Sequence, residues 1–515
     1  MGGNMVATSQ PLAAQAGLQA LADGGNAVDA ALAAATVLTV VEPTGNGLGS
    51  DAFAIVWDGS QLHGLNASGR APAAWTPQRF AGQASMPERG WESATIPGAV
   101  GAWAALSNRF GALPFDRLLA PAIRYAADGF PVSPVIATLW ARGADLLGHH
   151  PGFADHFMPY GRAPLAGERF ASPAMAHTLT RIAETKGEAF YRGDIAEKIA
   201  EDAARHGAAI TVDDLAADAP DWCGTVHAGF DAIDLHEIPP NGQGIAACMA
   251  LGMLAHTGIR EMGPDDPAAL HLQIEAIKLS LADAHAFVAD LDHMIGVTPE
   301  DLLDPAYLAA RAALIDPERA QDFGAGAPRA GGTVYLTTAD ASGMMVSYIQ
   351  SNYSGFGSGV VVQGTGIALQ NRGFGFTLQP GHPNQVAPRK RPFHTIIPGF
   401  AMKGGQPQMS FGVMGGPMQA QGHLQMVLRT QLWGQDVQSA VDAQRWRFNR
   451  GLEVAIETAL PAPTQQTLSD LGHRLSPEAP DVAFGFGGAQ LIQRLPQGGY
   501  SAGSDPRKDG QAVAF

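Results

Sequence analysis

The chain has 515 residues, with 48 acidic and 32 basic side chains and a net charge of −16. This acidic balance argues against nucleic acid or an anionic membrane as the partner. Hydrophobic residues make up 46% of the chain, enough for a large core. The length suggests two to four domains, or one large α/β unit with additions.

The two cysteines, Cys223 and Cys248, are too few for a disulfide framework or a thiolate metal site. A single disulfide between them is an open alternative, but two free structural thiols are the favoured interpretation. The first residues carry neither a charged leader nor an apolar signal core. We therefore expect a cytoplasmic protein, or a periplasmic one if a leader has been trimmed.

The amino-terminal region reads as two helices followed by a strand. Ser9 is predicted to cap a helix that begins at Pro11. Asn26 is predicted to cap a second helix over 27–40, whose small side chains on every face indicate packing on all sides. A glycine-rich loop, 42–51, then precedes the strand.

The middle of the chain is predicted to be helical, and the last third rich in strands. Residues 100–320 alternate helical stretches with Pro- and Gly-rich connections. Strands over 333–339 and 344–351 flank Asp340-Ala341-Ser342-Gly343, which is a hairpin signal. A further strand over 408–413 leads into a glycine pair.

Thr333 opens one of these strands, directly behind Gly331 and Gly332. If the chain is cut between Gly332 and Thr333, the threonine gains a free amine beside its hydroxyl. That amine, with an ordinary pKa of roughly 8, can accept the hydroxyl proton and activate a weak nucleophile. A turn followed by an ordinary strand is the alternative interpretation of the local pattern.

Gly415 and Gly416 lie between the strand that ends near Val413 and a predicted helix from about Met418. Paired glycines at a helix start expose consecutive backbone N–H groups, which can bind a developing oxyanion. A rival nucleophile, Ser501 in a G-x-S-x-G pattern, is rejected because no histidine follows it. That pattern more plainly indicates a turn.

No cofactor or metal ion is expected. The sixteen histidines form no H-E-x-x-H motif, and no Walker-type phosphate loop is present. Arg70, in a short glycine-containing turn, could bind a substrate carboxylate with both guanidinium nitrogens. A solvated surface arginine is the alternative.

In this order, these features resemble the γ-glutamyltransferase family of N-terminal-nucleophile hydrolases. The resemblance covers nearly the whole chain and rests on motifs at both ends. These are Gly24 to Ala31, Val41-Glu42-Pro43, Thr95-Ile96-Pro97-Gly98, Gly331-Gly332-Thr333, Gly415-Gly416 and Ser504 to Gly510.

The resemblance implies a four-layer αββα sandwich made from one precursor that cuts itself between Gly332 and Thr333. The large fragment, 1–332, and the small fragment, 333–515, would stay associated as a heterodimer, with higher oligomers left open. Thr333 aligns with the family's nucleophile, and the backbone of Gly415 and Gly416 with its oxyanion hole. The family forms an acyl-enzyme from a γ-glutamyl amide and passes the acyl group to water or an amine.

The chain departs from the family pattern where substrate specificity is set. The arginine that binds the glutamyl α-carboxylate falls nearest Ser68, with Arg70 as a possible substitute. The acidic segment that binds the α-ammonium aligns with 370–376, which contains no carboxylate. Two neighbouring serines become His394 and Thr395.

Asn352 still matches a substrate-contacting asparagine, and Arg70, Arg372 and His394 are the candidate carboxylate binders. A site without a carboxylate should hold an ammonium poorly, because a desolvated cation needs a counter-charge. We therefore expect a self-processing amidohydrolase or acyltransferase for a γ-glutamyl or similar small carboxylate-bearing acyl amide. Oxamate amidohydrolase or glutaryl (cephalosporin) acylase activity is the alternative, and an uncleaved, inactive relative that binds an amide is the alternative of another class.

Overall fold

The computed structural model describes residues 1–324, 332–480 and 485–515. Gly331, one of the two glycines before Thr333, lies outside the described residues. The α-helices are α1 (Pro11–Ala22), α2 (Ala27–Val41), α3 (Ala99–Phe110), α4 (Phe115–Asp128), α5 (Pro134–Leu147), α6 (Phe153–Phe157), α7 (Pro173–Thr185), α8 (Glu188–Arg192), α9 (Asp194–Arg205), α10 (Val212–Ala217), α11 (Gly244–Leu254), α12 (Pro267–Phe287), α13 (Pro299–Leu302), α14 (Pro305–Ala312), α15 (Met418–Val427), α16 (Val437–Asp442) and α17 (Ala462–Asp470).

The strands lie in both halves of the chain. They are β1 (Met5–Thr8), β2 (Asp51–Trp57), β3 (Leu62–Ala67), β4 (Phe130–Pro131), β5 (Arg169–Phe170), β6 (Asp221–Trp222), β7 (Val226–Phe230), β8 (Ile233–Glu237), β9 (Gly332–Ala339), β10 (Met345–Tyr353), β11 (Val361–Val362), β12 (Ile367–Ala368), β13 (Gly399–Lys403), β14 (Gln406–Met414), β15 (Trp446–Arg450), β16 (Glu453–Glu457), β17 (Arg474–Glu478), β18 (Gly488–Arg494), β19 (Tyr500–Ser504) and β20 (Gln511–Ala514).

Two large sheets form the centre of the molecule. The first has the order β20-β1-β9-β10-β2-β3-β6, and the second has the order β19-β18-β14-β13-β8-β7. The pairs within both sheets are antiparallel. Each sheet therefore combines strands from before and after Thr333.

Three hydrophobic clusters show how the sheets and helices stack. Phe53, Tyr335, Phe400 and Ile492 belong to one buried cluster shared by the two sheets. A second cluster joins the first sheet to α2, α3, α4 and α7, and a third joins the second sheet to α11, α12 and α15. The predicted four-layer αββα sandwich is confirmed.

The helix predictions near the amino terminus are confirmed, except for one cap. The side chain of Asn26 accepts hydrogen bonds from the N–H groups of Val28 and Asp29, and every residue of α2 is buried. Helix α1 begins at Pro11 as predicted, but Ser9 as its cap is wrong. Gln10 immediately precedes the proline and caps the helix, whereas the Ser9 hydroxyl donates to Glu42.

The strand predictions hold, with two corrections. The predicted hairpin across Asp340–Gly343 is β9 and β10, which pair in antiparallel register. Residues 100–320 are predicted as helical stretches with Pro- and Gly-rich connections, yet they also contain the strands β4 to β8. Ser501, expected in a turn, lies within strand β19 because residues 500–504 pair with β18.

Cys223 and Cys248 are both free thiols, so the disulfide that the sequence left as an alternative does not form. Among the described residues, no helix is long and apolar enough to cross a membrane.

Gly64, in strand β3, provides a test of the packing between the first sheet and residue 224. A Cβ atom at Gly64 would lie 1.7 Å from the carbonyl oxygen of Gly224, a contact that backbone movement alone can relieve. We expect Gly64→Ala to lower the free energy of unfolding by about 3 kcal/mol. The thermal unfolding midpoint measures this change.

Gly263→Ala is the matched control, because no heavy atom lies within 4 Å of a Cβ built there. Its effect should stay within about 0.5 kcal/mol. Equal unfolding midpoints for the two variants would contradict the described packing at Gly64.

Candidate active site

Thr333 lies in the second position of strand β9, and only 1% of its surface is exposed. Its hydroxyl has two polar neighbours. The Thr333 Oγ1 atom lies 3.2 Å from Ser351 Oγ on β10, and Gln419 Nε2 on α15 donates to it at 3.4 Å. The predicted nucleophile thus lies where the first sheet meets the start of α15.

Ser351 links the Thr333 hydroxyl to the peptide bond that precedes it. The Ser351 hydroxyl donates to the carbonyl oxygen of Gly332 at 2.8 Å. Because a hydroxyl has one proton, Ser351 Oγ must then accept the proton of Thr333. The N–H of Tyr353 also donates to Ser351 Oγ, at 2.8 Å, and fixes its position.

The glycine-rich loop before β2 covers Thr333 closely. A Cβ atom at Gly45 would lie 3.2 Å from the backbone carbon and oxygen of Thr333. A Cβ at Gly332 would lie 2.9 Å from the carbonyl oxygen of Thr44. Both glycines therefore permit a close backbone approach around the peptide bond before Thr333.

Gly415 and Gly416, with φ angles of 121° and 58°, adopt backbone conformations that favour glycine. The carbonyl of Gly415 accepts from Met418 N–H, and the carbonyl of Gly416 accepts from Gln419 N–H. Both carbonyls thus face the start of α15. In the described part of the chain, neither glycine N–H donates a hydrogen bond, so both are available to an oxyanion.

Arg372 is a buried cation with incomplete hydrogen bonding. Its side chain is 1% exposed, and Nη1 donates to Thr395 Oγ1 at 2.8 Å. The Nε and Nη2 atoms find no partner among the described residues. The guanidinium carbon lies 4.5 Å from the ring centroid of Tyr353. Burial lowers the pKa of Arg372 to about 10, so the group is still charged at neutral pH.

Asp51 and His394 form a buried pair beside Arg372. His394 Nδ1 accepts from Ile396 N–H, so its Nε2 carries the proton and donates to Asp51 Oδ2 at 3.0 Å. Burial, followed by the charge of Arg372, holds the pKa of His394 well below its usual range. His394 is therefore a neutral donor.

The Asp51 carboxylate also accepts from the N–H groups of Gly69 and Gly98. Burial raises the pKa of Asp51 to about 7, although Arg372 and these backbone donors act in the opposite direction. Asp51 supplies the negative charge that acts most strongly on Arg372, and its own hydrogen bonds to protein donors already occupy it.

Arg70, a predicted carboxylate binder, points toward acidic side chains. Its Nη2 lies 3.1 Å from Asp221 and its Nη1 lies 3.6 Å from Asp218, with 31% of the side chain exposed. Arg391 also binds Asp221. The geometry favours Arg372 over Arg70 for a substrate carboxylate.

Asn352 follows Ser351 and contacts the glycine-rich loop. Its N–H donates to the Gly45 carbonyl, and its Oδ1 accepts from Ser50 at 2.7 Å. The buried Nδ2 has no partner in the described part of the chain. Asn352 thus offers one unused donor near Thr333.

The sequence indicated Thr333, the glycine pair and Arg372, but Ser351, Gln419, Asp51 and Gln243 were missed. One of the four carried a usable signal. The hairpin register that pairs Gln350 with Val334 brings Ser351 opposite Thr333. The other three come from distant segments, and no local pattern indicates them.

One cluster has side chains that could hold a metal ion, although the sequence predicts none. Ligand atoms of His271, Glu275 and His473 lie within 4.8 Å of one another. Two of these atoms, His271 Nδ1 and His473 Nε2, share a hydrogen bond of 2.8 Å. The Lys278 ammonium lies 2.6 Å from Glu275 and already supplies the positive charge.

The sandwich, with a buried threonine at the start of a central strand, defines an N-terminal-nucleophile hydrolase. Residues 13–515 match the Gamma-glutamyltranspeptidase family. An oxamate amidohydrolase proenzyme from Klebsiella pneumoniae is 36% identical over 526 residues, which cover 99% of this chain and 98% of that protein. A glutathione hydrolase-like YwrD proenzyme from Bacillus subtilis is 35% identical over 523 residues, covering 99% and 98%.

Among solved structures, cephalosporin acylase from Bacillus halodurans aligns with a TM-score of 0.94 at 46% identity. The alignment covers 100% of this chain and 96% of that chain. The chain belongs to the γ-glutamyltranspeptidase family and is a self-processing amidohydrolase.

Asp51 should make the stability of the fold depend on pH. Its pKa is about 7 in the folded chain and 3.8 without the fold, so between these values the folded state holds more protons. Stability contributed by this group is therefore greatest below pH 4 and falls as the pH rises to about 7.

Asp51→Asn should remove this change, which is at most about 4 kcal/mol. Unfolding midpoints of wild type and variant, measured from pH 4 to pH 8, give the difference at each pH. A difference that stays constant across this range would contradict the assigned protonation of Asp51.

Proposed function

We propose that Thr333 is the nucleophile both for self-cleavage after Gly332 and for turnover of a carboxylate-bearing acyl amide. The arrangement of the Thr333 and Ser351 hydroxyls supports the first reaction. The observation that carries the substrate class is that two nitrogens of buried Arg372 find no partner within residues 1–324, 332–480 and 485–515.

In self-cleavage, Thr333 Oγ1 attacks the carbonyl carbon of Gly332. Ser351 donates to the carbonyl oxygen and so stabilises the charge that develops on it. The bond between the Gly332 carbonyl carbon and the Thr333 nitrogen then breaks, and the nitrogen takes the proton that the hydroxyl lost, so that Thr333 gains a free amine and carries the Gly332 acyl group as an ester. Water hydrolyses the resulting ester, which restores the Thr333 hydroxyl and leaves a carboxylate on Gly332.

In turnover, the Thr333 amine accepts the hydroxyl proton and Oγ1 attacks the substrate carbonyl. The N–H groups of Gly415 and Gly416 bind the oxyanion. The amine product leaves with a proton, and water releases the acyl group as an acid. Transfer of the acyl group to an amine uses the same intermediate.

The substrate's acyl group is proposed to carry a carboxylate without an α-ammonium. A carboxylate can accept hydrogen bonds from Arg372 Nε and Nη2, which gives a buried guanidinium its missing partners. An α-ammonium would need a carboxylate of its own, but Asp51 is occupied by His394 and backbone donors. The similarity to an oxamate amidohydrolase and a cephalosporin acylase supports this class.

The mature protein is proposed to be a heterodimer of residues 1–332 and 333–515. Strand β9 pairs with β1 on one side and with β10 on the other. The second sheet likewise joins β8 to β13. Both sheets therefore hold the fragments together after cleavage of one peptide bond.

Thr333→Ala should abolish self-cleavage and turnover together, because both reactions need the same oxygen. Denaturing electrophoresis and mass measurement should show two fragments for wild type, with threonine at the amino terminus of the smaller one. The variant should give one intact band. Cleavage of Thr333→Ala after Gly332 would disprove the assignment.

Thr337→Ala is the matched control, since Thr337 lies on the same strand and its hydroxyl contacts Ser410 instead. This variant should still mature and turn over substrate. A wild-type chain that stays intact and inactive would instead favour the alternative of another class, an uncleaved relative that binds an amide.

Arg372→Gln should reduce kcat/KM for a glutaryl amide by at least about 100-fold, because a substrate carboxylate loses its buried counter-charge. Turnover of the uncharged butyryl amide should change little. Assays with γ-glutamyl, glutaryl, oxamate and butyryl amides give the comparison.

Arg70→Gln serves as the matched variant, because its guanidinium is engaged by Asp218 and Asp221. We expect less than a threefold effect on the same substrates. A larger loss for Arg70→Gln than for Arg372→Gln would move the carboxylate site to Arg70. A wild-type preference for γ-glutamyl amides would contradict the proposed substrate class.

A further inference from the structure

Gln243 contacts both sides of the candidate site with one amide group. It precedes α11 and is 1% exposed. The Gln243 Nε2 atom donates to the carbonyl of Thr395 at 2.6 Å and to the carbonyl of Gly416 at 2.9 Å. Its backbone N–H donates to the His394 carbonyl at 2.9 Å.

The bond to Gly416 acts on the proposed oxyanion loop. Two adjacent glycines have wide conformational freedom, so their N–H groups keep one direction only if the neighbouring peptides are held. Met418 N–H holds the Gly415 carbonyl, and Gln419 N–H and Gln243 hold the Gly416 carbonyl. Gln243 is the one of these three donors that comes from a distant segment.

The bond to Thr395 acts on the proposed carboxylate anchor. The hydroxyl of the same threonine accepts from Arg372 Nη1 at 2.8 Å. Gln243 therefore connects the residue that orients Arg372 to the loop that would bind the oxyanion. A substrate acyl group has to span these two points, with its carboxylate at one and its reacting carbonyl at the other.

We propose that Gln243 is a positioning residue that sets the distance between the carboxylate anchor and the oxyanion loop, and so selects the length of the acyl chain. This inference rests on the proposed function. Gln243 need not touch the substrate. Its effect is expected in kcat and in chain-length selectivity, because reacting groups must be held within tenths of an ångström.

Self-cleavage should not depend on Gln243. In the uncut chain, the carbonyl of Gly332 accepts from Ser351, and neither Gly415 nor Gly416 donates to it. Variants of Gln243 should therefore mature normally and still hydrolyse poorly. A general folding defect would slow both reactions.

The test compares Gln243→Met with Gln425→Met, using succinyl, glutaryl and adipyl p-nitroanilides as probes. Methionine has a similar shape but no donor. Gln425 is a matched control because it is buried on α15 and, among the described residues, its side chain hydrogen-bonds only to the Trp446 carbonyl. Cleavage is followed by electrophoresis and turnover by release of nitroaniline.

For Gln243→Met we expect normal fragments, a 10- to 100-fold loss of kcat on the preferred chain length, and a smaller difference between the three lengths. Gln425→Met should keep the wild-type profile. A Gln243→Met enzyme with wild-type kcat and chain-length selectivity overturns the proposal. So does an equal loss on all three lengths that is matched by slower self-cleavage.

Gln243→Glu covers the case in which the methionine variant does not fold. An ionised glutamate cannot donate to the two carbonyls, whereas a protonated one can donate to one of them. Its kcat should be low at pH 8 and recover in part at pH 5, relative to wild type. Wild-type activity and selectivity at pH 8 overturn the proposal.

These outcomes separate failure of this inference from failure of the proposed function. If the wild-type chain does not cleave itself, or if Arg372→Gln keeps its carboxylate preference, the proposed function fails first. If both of those results hold and Gln243→Met is unaffected, only the role of Gln243 is lost.

Discussion

The position of Thr333 within a central strand is the constraint on which the rest of the site depends. Strand β9 is bonded on both sides, to β1 and to β10. A nucleophile held in this way keeps its place when the preceding peptide bond breaks, because the strand pairs from Val334 to Ala339 lie after that bond and only the pair of Gly332 with Tyr353 lies before it. The pairing of β9 with β10 also places Ser351 beside Thr333. The loop approaches Thr333 so closely at Gly45 that a side chain at residue 45 would crowd the Thr333 backbone. The location of the cleavage point within a sheet thus fixes the positions of both the nucleophile and the neighbouring Ser351 hydroxyl.

The buried positive charge of Arg372 determines the electrostatics of the proposed pocket. A guanidinium taken out of water is costly unless its donors are satisfied and a counter-charge is near. Arg372 has one bonded nitrogen, the Tyr353 ring and the field of Asp51, while its other two nitrogens find no partner in the part of the chain that the structure describes. His394 adds no positive charge because it is neutral. The described residues therefore leave a desolvated cation with two free donors, which the proposed substrate carboxylate would complete. Such preorganisation strengthens carboxylate binding, since little reorganisation accompanies it.

The sequence allowed prediction of features that depend on neighbouring residues. Asn26 starts α2, the turn at Asp340 forms the hairpin, and Gly415 and Gly416 end a strand as expected. The αββα class followed from the family resemblance and not from these local patterns. Arg372, His394 and Thr395 were indicated by the same resemblance, but the hydrogen bonds of the pocket could not be predicted because they join distant segments. Asp51 and His394 are 343 residues apart, and Gln243 and Gly416 are 173 apart. No periodicity encodes such pairs; they exist only once both sheets have formed.

The two reactions proposed for Thr333 rely on residues that contact its Oγ1 atom from two different directions. Toward β10, Ser351 contacts both that oxygen and the Gly332 carbonyl. Toward α15, Gln419 contacts the oxygen, and its backbone N–H binds the loop of Gly415 and Gly416. In the proposed scheme, maturation depends on Ser351 of the hairpin, whereas turnover depends on the start of α15 and on Arg372. Because these sets are separate, the acyl pocket can change without loss of self-cleavage. The proposed carboxylate anchor, Arg372 with Thr395, belongs to the second of these sets.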